Sequence, residues 1–267
     1  MTTQISVELC DGRHRTSTSG GLLRAQVVRG PADRCRIGLL ATTALLLGGD
    51  EVELSVEVGP GAMLELFDVA GTVAYHGRGR PSGWRVRAVV HEGARLRWSG
   101  EPLVVSHGAD VLRRLELDLG EDARAVLRET VVLGRAGEPG GRLRNQTVVR
   151  RAGREVLVED QRLDPGARQL PGLLGANRVI DSVLAFGVPT PEQGPGVSRF
   201  QLVETGSTLL RHLGVELAPS PLHSAWANLQ LGGTACPSAS RSGLAPRTAS
   251  VRSRSEDRAP SPVLRRT

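Results

Sequence analysis

VEVGPGAMLEL, residues 56–66, is an alternating apolar and polar stretch, then a tight turn, then a second alternating stretch. The pattern returns as AVVHEGARLRW at 88–98 and as LDLGEDARAVL at 117–127. The spacing from Gly61 to Gly93 is 32 residues, and the spacing from Gly93 to Asp122 is 29. A near-constant period is typical of stacked supersecondary units. The sequence therefore predicts successive coils or hairpins, with a weaker fourth turn at 163–168.

The predicted fold class is mainly β, with a stacked-strand, β-helix-like body and a small two-helix part near the C-terminus. Residues 51–58 alternate strictly, which indicates a strand with one buried and one wet face. Leu202, Leu209 and Leu213 have helix-like spacing, and so do the apolar residues of 222–229, where Pro221 is a start signal. The helical part is predicted over about 200–231. The polar run 13–21 is interpreted as a hairpin or a loop.

The charge divides the chain into a body, 1–232, and a tail, 233–267. The net charge is +6, but residues 238–267 alone hold seven Arg and two acids, so the rest carries about +1. Every cation is Arg, and aromatic residues make up only 3%. A basic groove with stacking platforms for nucleic acid is therefore not expected. The tail is rich in Ser, Arg and Pro and is predicted to be disordered.

Several classes of site are disfavoured by the motifs. No two of the six His are spaced like paired metal ligands, and without Lys there is no Walker motif. Cys10, Cys35 and Cys236 form no C-x-x-C pair, which argues against a disulfide framework or a zinc knuckle. No secretory signal is found, and the apolar run 39–47 is too short to span a bilayer. A cytoplasmic location without membrane binding is expected.

Three acidic residues lie at positions that are unusual for an acid. Asp50 follows two glycines and precedes a strand, Glu129 interrupts an alternating strand, and Glu159 lies with Asp160 after Val156-Leu157-Val158. A carboxylate that points inward must be paired, hydrated or functional, because desolvating it alone is costly. Each of these acids could instead form a salt bridge with one of the many Arg.

Short motifs follow one another in a fixed order between 39 and 163: LGGD at 47–50, VGPGA at 58–62, GEP at 100–102, HGA at 107–109, LGR at 133–135 and GE at 137–138. Their order and spacing resemble those of the urease accessory protein UreD family, called UreH in some organisms. The resemblance implies a β-rich scaffold that is not an enzyme and that binds urease apoprotein and UreF, which recruits the GTPase UreG.

The resemblance also implies a role in nickel insertion, for which a water-filled internal passage has been proposed. By position, Asp50, Glu129 and Glu159 match acids of the family's motifs and are interpreted as transient nickel-route residues. No catalytic residue and no stably bound cofactor are expected, only Ni²⁺ in transit.

Two alternatives remain open from the residues alone. A generic β-helical binding module, for instance for carbohydrate, would use the same stacked surfaces. A polysaccharide-active enzyme on a β-helix would need Asp50, Glu129 and Glu159 clustered on one face.

Overall fold

The computed structural model describes residues 2–168, 170, 172–217, 220–229 and 231. The predicted tail, 233–267, lies outside these residues. Seventeen strands and two helices follow one another in the described part: β1 (Thr3–Cys10), β2 (Arg13–Ser19), β3 (Leu23–Val28), β4 (Cys35–Ala41), β5 (Glu51–Val58), β6 (Met63–Asp68), β7 (Thr72–Ala74), β8 (Ser82–Val90), β9 (Arg95–Ser99), β10 (Leu103–Val105), β11 (Asp110–Leu119), β12 (Arg124–Leu133), β13 (Arg142–Arg151), β14 (Arg154–Leu163), α1 (Pro165–Arg168), β15 (Val179–Phe186), β16 (Ser198–Gln201), β17 (Thr208–Gly214) and α2 (Leu222–Asn228).

The strands form two sheets that enclose one apolar core. Sheet A has the order β14-β13-β11-β8-β5-β1-β2, and the main path of sheet B is β16-β17-β15-β12-β9-β6-β4-β3. The pairs that join β1, β5, β8, β11 and β13 are parallel, as are those that join β4, β6, β9 and β12. The chain therefore passes from sheet A to sheet B and back in stacked coils, which confirms the predicted mainly β, stacked-strand class.

The repeated turns connect the two sheets in each coil. They follow β5, β8 and β11, and Gly61, Gly93 and Asp122 occupy equivalent left-handed positions with φ of 67°, 63° and 55°. Glycine adopts this conformation without strain, and Asp tolerates it better than most residues. The turns also pair with one another, because Gly61 N donates to Glu92 O and Gly93 N donates to Glu121 O. The sequence period of 32 and 29 residues is thus the length of chain that forms one coil.

The prediction of a fourth turn at 163–168 is wrong. Strand β13 is followed by a tight hairpin and by β14, which pairs antiparallel with it in the same sheet. Residues 163–168 instead contain the end of β14 and the short helix α1. Sheet A ends here, so the coil pattern stops one turn earlier than the sequence indicated.

The first of the two predicted C-terminal helices is also wrong, whereas the second is confirmed as α2. Residues 208–214 form β17, which lies between β15 and β16. Leu209 packs in the core between the sheets, and Leu210 packs on the other face of sheet B. Because both faces of this strand are covered, apolar residues come in adjacent pairs, and such pairs imitate helical spacing.

Helix α2 covers part of the outer face of sheet B. Its buried residues Leu222, Ala225 and Trp226 join a second apolar cluster with Met63, Val126, Val183, Ala185, Val188, Leu210, Leu229 and Leu231. Arg97 of β9 fixes the C-terminal end of the helix, since its guanidinium donates to the carbonyl oxygens of Leu229 (2.5 Å) and Trp226 (3.1 Å). The same guanidinium lies 3.9 Å from the centroid of the Trp226 ring. Sheet B is therefore packed on both sides.

The loops that return from sheet B to sheet A stack closely at glycine positions. A Cβ at Gly48 would lie 2.3 Å from the carbonyl oxygen of Gly77 in the next loop. This contact is with backbone, so it could be relieved only by moving one loop away from the other.

Gly48→Ala is therefore expected to lower the free energy of unfolding by about 1–3 kcal/mol, as overpacking does elsewhere. Gly20→Ala is the matched control, because nothing lies within 4 Å of its added Cβ and its φ is not in the positive range. Urea denaturation of both variants measures the difference. Equal stability of the two variants would contradict the close approach of the two loops.

Candidate functional site

Seven polar side chains meet between the two sheets, where an apolar core would otherwise continue. We call this set the inner polar layer. Its members come from three strands of sheet A and three of sheet B: Arg113, Glu129, Asn145, Glu159, Gln161, Ser182 and Arg211. Two of the three acids predicted from the sequence, Glu129 and Glu159, are among them.

A continuous chain of hydrogen bonds connects the layer. Arg113 donates to Glu129 Oε1 (2.5 Å) and to Asn145 Oδ1 (3.0 Å). Asn145 donates to Gln161 Oε1 (3.2 Å), and Gln161 donates to Glu159 Oε1 (3.3 Å). The two predicted acids are therefore linked through three intervening side chains.

The chain of hydrogen bonds continues from Glu159 to two residues of sheet B, Arg211 and Ser182. Arg211 makes a two-pronged ion pair with Glu159, with N–O distances of 2.7 and 2.9 Å, and its Nε donates to Ser182 Oγ (3.1 Å). Ser182 on β15 is the cross-strand neighbour of Glu129 on β12. The two ends of the hydrogen-bonded chain thus lie side by side, and the layer holds two carboxylates and two guanidinium groups.

A cavity adjoins the layer on the side of β6 and β9. Asp68, Trp84 and Trp98 line it together with Arg113 and Glu129. Asp68 accepts hydrogen bonds from Trp98 Nε1 (3.3 Å) and from the backbone N–H of Glu101 (3.1 Å). Burial raises the pKa of Asp68 to about 6, against the opposing effect of these two hydrogen bonds. Burial also lowers the pKa of Arg113, but the charges of Glu129 and Asp68 outweigh it and raise that pKa.

A separate ion pair lies on the other face of sheet B. Asp181, whose side chain is 1% exposed, accepts from Arg128 (2.9 and 3.2 Å) and from Thr130 Oγ1 (3.1 Å). A pocket beside α2 contains this group and is also lined by His212 and His223. The cavity and this pocket share Gly100, Glu101, Arg128 and Thr130. Polar groups therefore approach each other from both sides of sheet B at this point.

Asp50 does not join the other two predicted acids. It lies in the loop before β5, and its Oδ2 accepts from the backbone N–H of Leu47 (2.9 Å), which closes a local turn. Asp160 lies on the outer face of sheet A, where it pairs with Arg144 (2.6 Å). Asp50, Glu129 and Glu159 are thus not clustered on one face. The polysaccharide-active alternative would need such a cluster.

Comparison with known proteins identifies the family of this chain. The family model described as UreD urease accessory protein matches residues 12–256. The chain belongs to the UreD family of urease accessory proteins. A protein from Streptomyces griseus named urease accessory protein UreD 1 is 48% identical over 193 residues, which cover 71% of this chain and 76% of the relative. One from Saccharopolyspora erythraea, named urease accessory protein UreD 2, is 30% identical over 220 residues and covers 73% and 77%.

The inner polar layer of this UreD-family chain contains two acidic side chains, Glu129 and Glu159, and neither His nor Cys. Among the described residues, no three His, Cys, Asp or Glu side chains are grouped so that they could hold a metal ion. In the same part of the chain, no helix is long and apolar enough to cross a membrane. The layer instead offers carboxylate, amide and hydroxyl oxygens, which are hard and exchange readily around a divalent cation.

Five members of the layer are not acids, and the sequence marks only some of them. Each is a polar residue at the inward parity of its strand: Arg113 lies between Val111 and Leu115, and Arg211 follows Leu209. Asp68 has the parity of Leu64 and Leu66 in the same way. A search for polar residues at buried parity, rather than for acids alone, finds Arg113 on β11. It does not find Ser182 or Arg211, because β15 and β17 are apolar on both faces and show no period of two.

The raised pKa of Asp68 predicts a pH dependence of stability. The folded protein holds this proton more firmly than the unfolded chain does, because the folded pKa of about 6 exceeds the ordinary value of 3.8. The stabilisation is complete below the unfolded pKa and is lost as pH rises through the folded one. Relative to Asp68→Asn, the free energy of unfolding of the wild type is expected to fall by about 2–3 kcal/mol between about pH 4 and pH 7. Urea denaturation across this range measures it, and parallel curves for the two proteins would contradict the assignment.

Proposed function

We propose that this UreD-family chain is a non-catalytic scaffold of urease maturation that passes Ni²⁺ to urease apoprotein together with UreF and UreG. The observation that supports nickel transfer best is the inner polar layer, because it brings Glu129 and Glu159 into one hydrogen-bonded chain within the β body. A core of this size does not need such a layer for stability, since buried ion pairs are often no better than apolar side chains. A functional reason for it is therefore favoured.

The chemistry of the layer suits an ion in transit. Carboxylate and amide oxygens bind a divalent cation with rapid exchange, whereas several Cys or His ligands would hold Ni²⁺ firmly. Glu159 is partly open to solvent, with 23% of its side chain exposed, so hydrated ions can reach it. In this proposal Ni²⁺ moves between the sheets as a hydrated ion that the two acids attract.

The proposal assigns the partner contacts to two parts of the chain. The stacked strands offer a preformed β surface to urease apoprotein, and the C-terminal part with α2 offers a contact to UreF, through which UreG is recruited. We place these contacts in the cytoplasm, as the sequence predicted.

The experiment replaces Glu129 and Glu159 by Gln, singly and together, in a host that produces urease and its accessory proteins. Glutamine keeps hydrogen-bonding groups but removes the charge. Asp160→Asn is the matched control, because Asp160 is the neighbour of Glu159 but lies on the outer face. The nickel content of purified urease is expected to fall in the Gln variants and to stay at the wild-type level in the control.

Co-purification of each variant with UreF and urease separates assembly from transfer. Normal assembly with reduced nickel content supports the proposed passage. Unchanged nickel content in the double variant contradicts the passage, and failure of the wild-type chain to co-purify with UreF contradicts the scaffold.

A further inference from the structure

Each acid of the inner polar layer is paired with one guanidinium group. Arg113 pairs with Glu129, and both side chains are 14% exposed. Arg211 pairs with Glu159, and these side chains are 17% and 23% exposed. Both pairs therefore lie where solvent screens charge much less than at the surface.

The two Arg are the only basic side chains of the layer, so they decide its charge. With both present, the two pairs are neutral. A divalent cation that approaches either carboxylate meets a fixed positive charge within a few ångströms of the same oxygens. Repulsion at this distance and in this environment opposes a large part of the attraction by the carboxylate.

We propose that Arg113 and Arg211 set the nickel affinity of the layer and keep it low enough for the ion to move on. This inference rests on the proposed passage of Ni²⁺ and adds its regulation. The two Arg act as positioning residues: they orient the carboxylates by hydrogen bonds and offset their charge. A layer with bare acids would retain nickel rather than transfer it.

Arg211 gives the sharper test, because its pair is more exposed than the Arg113 pair and its loss strains the fold less. Arg211→Met removes the charge and keeps much of the volume. Arg211→Lys keeps the charge. Arg211→Met with Glu159→Gln removes both charges of the pair. Binding of Ni²⁺ to the full-length proteins is measured by isothermal titration calorimetry at low ionic strength, with circular dichroism as the check of folding.

Arg211→Met is expected to bind Ni²⁺ about ten-fold more tightly than the wild type, or tighter still. The Lys variant and the double variant are expected to stay within about three-fold of the wild type. If Arg211 had a merely structural role, Arg211→Met would not raise the affinity for Ni²⁺. Adding Glu159→Gln would then not bring the affinity back to the wild-type value. A folded Arg211→Met protein that binds nickel as the wild type does, or more weakly, overturns the proposal.

Arg211→Gln is the second variant in case the Met variant does not fold, because its amide can still donate to Glu159 without a charge. The same ten-fold tightening is expected of it. If neither neutral variant folds while Arg211→Lys does, the charge serves folding and the proposal is wrong.

The nickel content of urease from cells with Arg211→Met distinguishes this inference from the proposed function. It is expected to fall, since the tighter layer retains the ion. Tighter binding with an unchanged nickel content would leave the role of Arg211 in affinity standing but would refute the passage through this layer.

Discussion

Arg113→Met is expected to lower the free energy of unfolding by about 3–5 kcal/mol. The substitution leaves Glu129 in the interior without the guanidinium that now lies 2.5 Å from it, and it also breaks the hydrogen bond to Asn145. Removing one partner of a buried ion pair is costly because the remaining charge is desolvated and no opposite charge compensates it.

Two controls make this prediction specific. Arg114 is the next residue of β11 but lies on the outer face, where it pairs with Glu116 and is 46% exposed. Arg114→Met is expected to cost at most about 1 kcal/mol, as exposed ion pairs do. Arg113→Met with Glu129→Leu removes both charges and is expected to recover most of the loss. Urea denaturation at pH 7 measures all three, and equal costs at positions 113 and 114 would contradict the buried pair.

Trp226→Ala is expected to cost about 3–5 kcal/mol, the range for deleting a large buried aromatic side chain. Trp226 is 7% exposed and packs in the cluster between α2 and sheet B. Its loss also removes the ring over which Arg97 lies, so the attraction between cation and ring disappears as well.

His223→Ala is the matched control, because this residue is exposed on the same helix. It is expected to change stability by at most about 0.5 kcal/mol. Both variants are followed by urea denaturation with circular dichroism. A cost below about 1 kcal/mol for Trp226→Ala would show that α2 contributes little to the stability of sheet B.

The coil arrangement could be predicted from the sequence because its cause is local. Each of the turns at Gly61, Gly93 and Asp122 needs a residue that tolerates positive φ, and the flanking strands show the period of two. Strand β2, Arg13–Ser19, is less readable: the sequence predicts a hairpin or a loop over 13–21, and the structure has the second arm of the β1–β2 hairpin there. That strand is polar on both faces, and within the described residues it pairs with β1 alone, so no apolar alternation marks it.

The candidate site could be predicted only in part, because its geometry depends on distant residues. Glu129 and Glu159 were recognisable as misplaced acids, but their partners Arg113 and Arg211 lie 16 and 52 residues away along the chain. Nothing local to either acid indicates which Arg it meets. Asp50 showed an equally strong local signal, and its carboxylate closes a turn.

The placement of α2 has a consequence for biosynthesis. The stacked coils involve neighbouring segments, so they can form one after another while the chain leaves the ribosome. The apolar residues Met63, Val126 and Leu210 on the outer face of sheet B share one cluster with Leu222, Ala225, Trp226, Leu229 and Leu231, which leave the ribosome last among the described residues of that cluster. Translation that stops before Leu222 would therefore release a nearly complete β body whose outer face exposes apolar side chains. Exposed apolar surface of this kind promotes aggregation and is recognised by chaperones.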